Sequence, residues 1–281
     1  MTKQLLVALD SGEPAWQALK LAGRLAGPLK AKVTLIRVAT SQEQESHLRA
    51  WLESAATVLA ADGIDVATQL RTAEPSAVPD AILSVAAALP ADLIVMGSRA
   101  RPAVAELLFG SVSGEVVRQS TCPVLVVRPS EAQKEETPRR ILLALEGEQG
   151  SGPLLAITEE LALALDAQVT IAHVSFPGGD ELERSIYHAR KTHAEEALEA
   201  AVIRLREAGV LATSAQLVNK DGIAAELGRY AELMEADLIV AGLHEDRGIE
   251  DRVIGTLPHA LLRRGKPVLV TKEQPPPDVW R

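Results

Sequence analysis

Short aliphatic segments alternate with amphipathic segments along the whole chain. In the first half the aliphatic segments predict strands, which lie near residues 4–9, 32–38, 65–70, 92–96 and 123–128. The intervening segments have apolar positions at helical spacing, and they predict helices near 14–27, 42–61, 76–88 and 109–119. The strand segments are apolar on both faces, which is typical of a parallel sheet covered by helices. The alternation therefore predicts an α/β fold with a doubly wound, five-stranded parallel sheet.

The second half of the chain repeats the first. Residues 33–38 correspond to 169–174 at an offset of 136, whereas 91–95 correspond to 236–240 at an offset of 145. The growing offset predicts an insertion near 177–180. A period of this length indicates two copies of one domain rather than a solenoid. The predicted organisation is two tandem α/β domains at 1–130 and 138–273, a polar, proline-bounded linker at 129–138 and a tail at 274–281.

Composition narrows the classes of protein and of ligand. The 281 residues carry a net charge of −9, of which residues 1–130 contribute none, with 12 basic and 12 acidic side chains. An acidic chain with 2% aromatic residues disfavours nucleic-acid binding and aromatic stacking platforms. The single cysteine, Cys122, excludes an intrachain disulfide and favours a reducing, cytoplasmic setting. No metal site is expected, and no segment is apolar for the roughly 18 residues of a membrane helix.

The loop after the fourth strand carries the candidate chemistry. In doubly wound sheets, ligands bind beyond the carboxyl ends of the strands, where the strand order reverses. Here the loop includes Gly97, Arg99 and Ala100, and the next helix opens near 110–113 with Gly-Ser-Val-Ser. Small residues, a helix N-terminus, hydroxyls and arginines together favour a phosphate. Structural interpretations stay open, because Gly97 also suits a strand end, Ser111 a helix cap and Asp10 a turn.

These segments resemble the universal stress protein family. That family has an aspartate after strand one, matched by Asp10, and a nucleotide motif of Gly, two residues, Gly, nine residues, Gly and Ser or Thr. The first copy has this spacing as Gly97-x2-Ala100-x9-Gly110-Ser111. The segments ADLIVMGSR and STCPVLVVRP also resemble the family. The resemblance covers both copies and implies an adenine nucleotide α-hydrolase-like fold.

The resemblance implies an ATP site in the first copy. Adenine is expected near Val38 and Met96, the ribose near Asp10, and the phosphates over the glycine-containing loop and the start of the following helix. The implied binding residues are Asp10, Val38, Met96, Gly97, Arg99, Ala100, Gly110, Ser111, Val112 and Ser113. The resemblance leaves open whether Mg²⁺ binds together with the ATP phosphates. Ala100 departs from the family motif, because it adds a methyl group and disfavours positive φ, which weakens the expected binding.

The second copy keeps the motif's spacing but not its chemistry. It has Gly242-x2-Glu245-x9-Gly255-Thr256, with Glu245 at the second glycine position. Pro258 takes the place of Ser113 and removes a hydroxyl and a backbone donor. The acidic loop repels polyphosphate. We therefore expect the second copy not to bind ATP and to serve as a partner for the first.

Family resemblance also implies an intramolecular pseudo-dimer through strands near 123–128 and 267–271, and a homodimer of whole chains stays open. Two function classes fit the sequence. The first is a stress-response or signalling protein that binds ATP in its N-terminal domain, with at most weak ATPase activity, because no residue is evidently placed to activate water. The alternative is a scaffold or interaction protein that no longer binds nucleotide. An ATP pyrophosphatase is disfavoured, because Asp10-Ser11-Gly12 is not the Ser-Gly-Gly loop which that class needs.

Overall fold

A computed structural model describes residues 2–40, 45–98, 111–128, 136–145, 152–175, 181–243 and 256–272. The chain divides into two compact units, Met1–Thr137 and Pro138–Arg281. The predicted linker and tail fall largely or wholly outside the described residues, so these two boundaries stay predictions.

The described part of the first unit is an α/β sandwich in which every strand is parallel to its neighbours. Its strands are β1 (Lys3–Leu9), β2 (Ala31–Ala39), β3 (Val66–Thr72), β4 (Leu93–Gly97) and β5 (Val124–Val127). Its helices are α1 (Glu13–Ala26), α2 (Glu45–Ala60), α3 (Val78–Ala88) and α4 (Ser111–Gln119), with a short 3-10 turn at Pro75–Ala77. The strand order is β3-β2-β1-β4-β5, and the order reverses between β1 and β4. This order confirms the predicted doubly wound fold.

The second unit has the same order of elements. Its strands are β6 (Arg140–Ala144), β7 (Gln168–Ser175), β8 (Ala212–Val218), β9 (Leu238–Leu243) and β10 (Val268–Lys272). Its helices are α5 (Gly152–Leu165), α6 (Glu181–Glu207), α7 (Ile223–Leu233) and α8 (Thr256–Leu262). The strands are parallel in the order β10-β9-β6-β7-β8. The expected insertion at 177–180 lies outside the described residues, and α6, which follows it, has 27 residues where α2 has 16.

The aspartate of the repeated Ala-Asp-Leu-Ile-Val segment joins two strands by hydrogen bonds at the amino end of each sheet. Asp92 donates its backbone N–H to the Gln4 carbonyl at 2.8 Å, and its carboxylate accepts from the Gln4 N–H at 2.8 Å. Asp237 repeats this contact with the start of β6, where its carboxylate accepts from the N–H groups of Arg139 and Arg140 at 2.9 and 3.0 Å. The shared aspartate therefore joins the first and fourth strands of each unit.

Helices cover both faces of the first unit's sheet, and strand register shows which side chains share a face. Arg37 of β2 faces Trp51 of α2 at 5.8 Å, and a Cβ on Gly97 of β4 would contact Pro14 of α1. Leu9 of β1 pairs with Arg37 of β2, and it aligns with Gly97 of β4 when the β1–β4 pairing is continued by one residue. Arg37 and Gly97 therefore lie on the same face of the sheet. The helices α1 and α2 therefore cover one face, and α4 contacts the other through Ser98.

Candidate functional site

The strand register assembles a row of side chains at the carboxyl ends of the first unit's strands. Val38 pairs with Arg71. Continuing the strand pairings by one or two residues aligns Asp10 with Val38 and with Ser98, and Ser98 with Arg128. We call these five residues the carboxyl-end row. Val38 and Arg71, which lie within strands, face the sheet side opposite α1 and α2, because alternate residues of a strand point to opposite faces. Ser98 contacts α4 on that same side. Two predicted site residues, Asp10 and Val38, thus lie on adjacent strands next to the switch in strand order.

Asp10 follows β1 directly and is half-buried. Its Oδ1 accepts a hydrogen bond from the Gly12 N–H at 2.7 Å, which forms a tight turn immediately before α1 begins at Glu13. The turn interpretation of Asp10 is therefore confirmed. The same contact fixes the carboxyl group at the sheet's edge, where a carboxylate can accept from a hydroxyl or an amino group.

Met96 and Gly97 end β4 and have different environments. Met96 is buried, with 4% exposure, and pairs with Ala8 one layer below the carboxyl-end row. Gly97 points to the opposite face, where an added Cβ would lie 2.5 Å from the Pro14 carbonyl carbon. The close packing of β4 against the first turn of α1 therefore requires glycine at position 97, whether or not a phosphate binds there.

Two buried serines connect β4 to α4. The Ser113 hydroxyl donates to the Ser98 hydroxyl at 3.2 Å, and the two residues are 2% and 1% exposed. The Ser98 N–H donates to the Val127 carbonyl at 2.8 Å, so this position is also tied to β5. Ser113 is thus a packing contact of α4, whereas Ser111, the first residue of the helix, is exposed and Val112 is half-buried. The backbone at the start of α4 is thereby held against the end of β4.

Three predicted site residues, Arg99, Ala100 and Gly110, lie outside the described residues. Their roles in the loop between β4 and α4 stay predictions. The replacement of the family's second motif glycine by Ala100 is known from the sequence alone.

Sequence reasoning missed a buried arginine beside this edge. Arg37 is 8% exposed, and its Nη1 donates to the Leu9 carbonyl at 3.5 Å. Its guanidinium lies 5.8 Å from the ring centre of Trp51, which contacts Trp16 edge to face at 5.5 Å. This cluster lies on the α1 and α2 face, behind the carboxyl-end row. The corresponding His173 contacts the Leu145 carbonyl at 3.0 Å through Nδ1, so aligning the two copies would have revealed a shared basic position.

The second unit has an apolar surface where the first has the carboxyl-end row. Leu217 pairs with Val174 at the positions of Arg71 and Val38, and Leu243 takes the place of Ser98. Leu243 and Pro258 are both buried, so an apolar pair replaces the two serines. Ala241, the counterpart of Met96, is fully buried. Glu146, Glu245 and Gly255 lie outside the described residues.

Titratable side chains elsewhere in the described ranges do not cluster into a metal site, and one cysteine among them is perturbed. Among the described residues, no three His, Cys, Asp or Glu side chains group closely enough to hold a metal ion. Burial raises the pKa of the Cys122 thiol, and a hydrogen bond from Ser120 partly opposes this effect. In the same described part of the chain, no helix is long and apolar enough to cross a membrane.

Comparison with known proteins identifies the relatives of this chain. A model of the Universal stress protein family matches residues 1–128 and 137–272. A universal stress protein of Mycobacterium tuberculosis is 27% identical over 194 residues, which cover 65% of this chain but only 62% of that protein. The match thus spans less than two thirds of this curated relative.

Solved structures share the fold. A universal stress protein from Archaeoglobus fulgidus has a TM-score of 0.75 at 18% identity, with 96% of each chain covered. A single-domain universal stress protein from the same organism, solved in complex with dAMP, matches 47% of this chain and 96% of its own at 23% identity, with a TM-score of 0.36. Since the family model spans nearly the whole sequence, this chain belongs to the universal stress protein family.

Proposed function

We propose that the first unit binds ATP at the carboxyl-end row and the start of α4, that the second unit does not, and that the protein acts in stress response or signalling. The observation that carries this proposal is the row itself. Strand register aligns Val38, Asp10 and Ser98 at the carboxyl edge of the sheet around the switch in strand order, next to the helix that begins at Ser111. This is where doubly wound folds bind their ligands.

The chemistry of the row suits an adenine nucleotide. Half-buried Val38 offers an aliphatic surface to the base, with buried Met96 in the next layer of the sheet, and the Asp10 carboxylate can accept from a ribose hydroxyl. The first backbone N–H groups of α4 have no partner within the helix, and the helix dipole adds partial positive charge for a phosphate. Arg71 and Arg128 flank the row and give it a net positive charge, since Asp10 is its only acidic member.

The second unit supplies the contrast. Apolar Leu217, Leu243 and Pro258 stand where the first unit has Arg71, Ser98 and Ser113. Proline lacks an N–H, so α8 offers one donor fewer than α4 in its first turn. The loop sequence before α8 adds Glu245, a like charge toward phosphate. These differences support loss of nucleotide binding in this unit.

One observation favours the alternative function of a scaffold that binds no nucleotide. Gly97 is required by the close approach of Pro14, so its presence is explained without any phosphate. With Ala100 at the second glycine position, only part of the family motif then points to a ligand. The scaffold hypothesis predicts no binding of ATP by either unit.

Calorimetric titration with ATP separates these hypotheses. Ser111→Asp puts a carboxylate at the exposed N-terminus of α4, where it favours the helix but repels phosphate, so the variant should fold normally and lose ATP binding. The matched control, Thr256→Asp at the start of α8, should bind ATP like the wild-type chain. No heat of binding from the wild-type chain at millimolar ATP, with no nucleotide released on denaturation, would refute the proposal and support the scaffold.

A further inference from the structure

The first unit contains a buried amide oxygen to which no described residue donates a hydrogen bond. Gln69 lies on β3, and its Oε1 is buried with no hydrogen-bond partner among the described residues. A buried polar atom without a partner is rare, because it loses its hydrogen bonds to water and gains none in exchange. Neighbouring side chains of β3 are exposed or half-buried, so the amide lies just beneath the surface of the unit. The orphaned acceptor therefore calls for a donor from outside the fold.

Strand register places this amide beside the expected base. Gln69 pairs with Ile36, Ile36 with Ala8, and Ala8 with Met96, so the four residues form one row on one face of the sheet. Val38 lies two residues beyond Ile36 on the same face, one strand away from Gln69. The diagonal between Cα atoms is about 8 Å, given strands ~4.8 Å apart with ~3.3 Å per residue. A glutamine side chain extends across much of that distance.

We propose that Gln69 recognises the adenine base of the bound nucleotide and sets the preference for adenine over guanine. This inference rests on the proposed function. A glutamine amide offers an acceptor and a donor side by side, which matches the N6 amino group and N7 of adenine. Guanine has the acceptor O6 in place of the N6 donor, so Gln69 Oε1 would face another acceptor. Recognition by an amide also suits a site in which no aromatic side chain stands in these rows.

The second unit has no side-chain amide at the position that corresponds to Gln69. Ala172 occupies the position of Ile36 in β7, and it pairs with Ala215 of β8. Alanine cannot hydrogen-bond a base through its side chain. The unit with the apolar edge is thus also the unit without the amide, as expected if both features serve one ligand.

Paired titrations with ATP and GTP test the inference in the full chain. Gln69→Met keeps the length of the side chain and removes its polar atoms. We expect it to weaken ATP binding about 5- to 150-fold, the range of one bidentate base contact, and to leave GTP binding unchanged. Because Oε1 accepts no hydrogen bond from the described residues and its burial is unfavourable, the urea midpoint should be at or above the wild-type value. Gln216→Met, at an exposed position of β8, is the matched control and should change neither affinity nor selectivity.

The outcomes separate this inference from the function on which it rests. Unchanged ATP affinity and an unchanged ATP-to-GTP ratio in Gln69→Met would overturn the role of Gln69 and leave ATP binding standing. Equal losses for both nucleotides, together with a lower urea midpoint, would show a structural role and also overturn the inference. If the wild-type chain binds neither nucleotide, the proposed function fails and the inference fails with it.

Discussion

Replacing Gly97 with alanine tests the contact between β4 and α1. An ideal Cβ at this position would lie 2.5 Å from the Pro14 carbonyl carbon and 2.7 Å from both the Pro14 Cβ and its carbonyl oxygen. Carbon atoms pack best at about 3.5 to 4.0 Å, so the backbone of α1 would have to move by roughly 1 Å. A flexible side chain cannot relieve this clash, because two of the three atoms belong to the backbone.

The magnitude follows from two opposing terms. Adding a methyl group to a well-packed site costs about 1 to 3 kcal/mol of unfolding free energy. Alanine also restricts the unfolded chain, which offsets about 0.4 to 1 kcal/mol where the backbone conformation suits it. We therefore expect Gly97→Ala to lower the free energy of unfolding of the first unit by about 1 to 2 kcal/mol. The shift of α1 also moves the turn at Asp10, so nucleotide affinity should fall as well.

Urea denaturation followed by tryptophan fluorescence measures this loss. Trp16 and Trp51 both belong to the first unit, and Trp280→Phe in every variant removes the remaining indole. With slopes of about 1 to 3 kcal/mol per molar urea, the midpoint should fall by about 0.3 to 2 M. Gly27→Ala is the matched control, because its φ is −61° and its Cβ would have no atom within 4 Å. Pro28 follows this position and disfavours a helical backbone for a residue with a Cβ, so the control should not be stabilised, and its loss should be smaller than that of Gly97→Ala.

Equal urea midpoints for Gly97→Ala and the wild-type chain would refute the reasoning. The glycine would then be dispensable for packing, and its place in the nucleotide motif would need another cause. A loss of ATP affinity without a loss of stability would point to direct contact between position 97 and the phosphates.

Three further predictions concern single side chains. In a double-mutant cycle, Ser98→Ala and Ser113→Ala should show a coupling of about 1 kcal/mol in unfolding free energy, and additivity would contradict their hydrogen bond. Burial raises the pKa of Cys122, so iodoacetamide should label this thiol more slowly than a free cysteine at pH 8. Ser120→Ala removes a hydrogen bond that lowers this pKa and should slow labelling further, whereas faster labelling of the variant would contradict the role of Ser120. A hydrogen bond from Arg229 lowers the pKa of Glu226, so this carboxylate stabilises the second unit at pH values above its unfolded pKa. The stabilisation disappears as the pH falls through the folded pKa, so the urea midpoint of Glu226→Gln should depend less on acid pH than the wild-type midpoint does.

The alternation of aliphatic and amphipathic segments predicted the fold well, because each strand of a covered parallel sheet is apolar on both faces. The segment predicted at 32–38 is β2, Ala31–Ala39, and the one predicted at 92–96 is β4, Leu93–Gly97. Gly63 and Gly209 follow helices and have φ of 76° and 93°, the left-handed backbone for which glycine is a local sequence signal. Local signals decide these features, and local sequence therefore reveals them.

The site was only partly predictable. Asp10 and Val38 were named from the motif, but their alignment with Ser98 depends on the register of three strands that lie far apart in sequence. Gln69 and Arg71 gave no local signal at all, because a polar residue on an edge strand is ordinary. The role of Gly97 was also hidden, since its constraint comes from Pro14 on another element.

The aspartates that join the first and fourth strands lie at the amino ends of the two sheets, whereas the candidate ligand chemistry lies at the carboxyl ends. A substitution at the carboxyl end therefore leaves the Asp92 and Asp237 contacts intact. The hydrogen bonds that join the first and fourth strands are therefore compatible with different carboxyl-end chemistry. In this chain one unit has a polar edge and the other an apolar one, and both have the same fold.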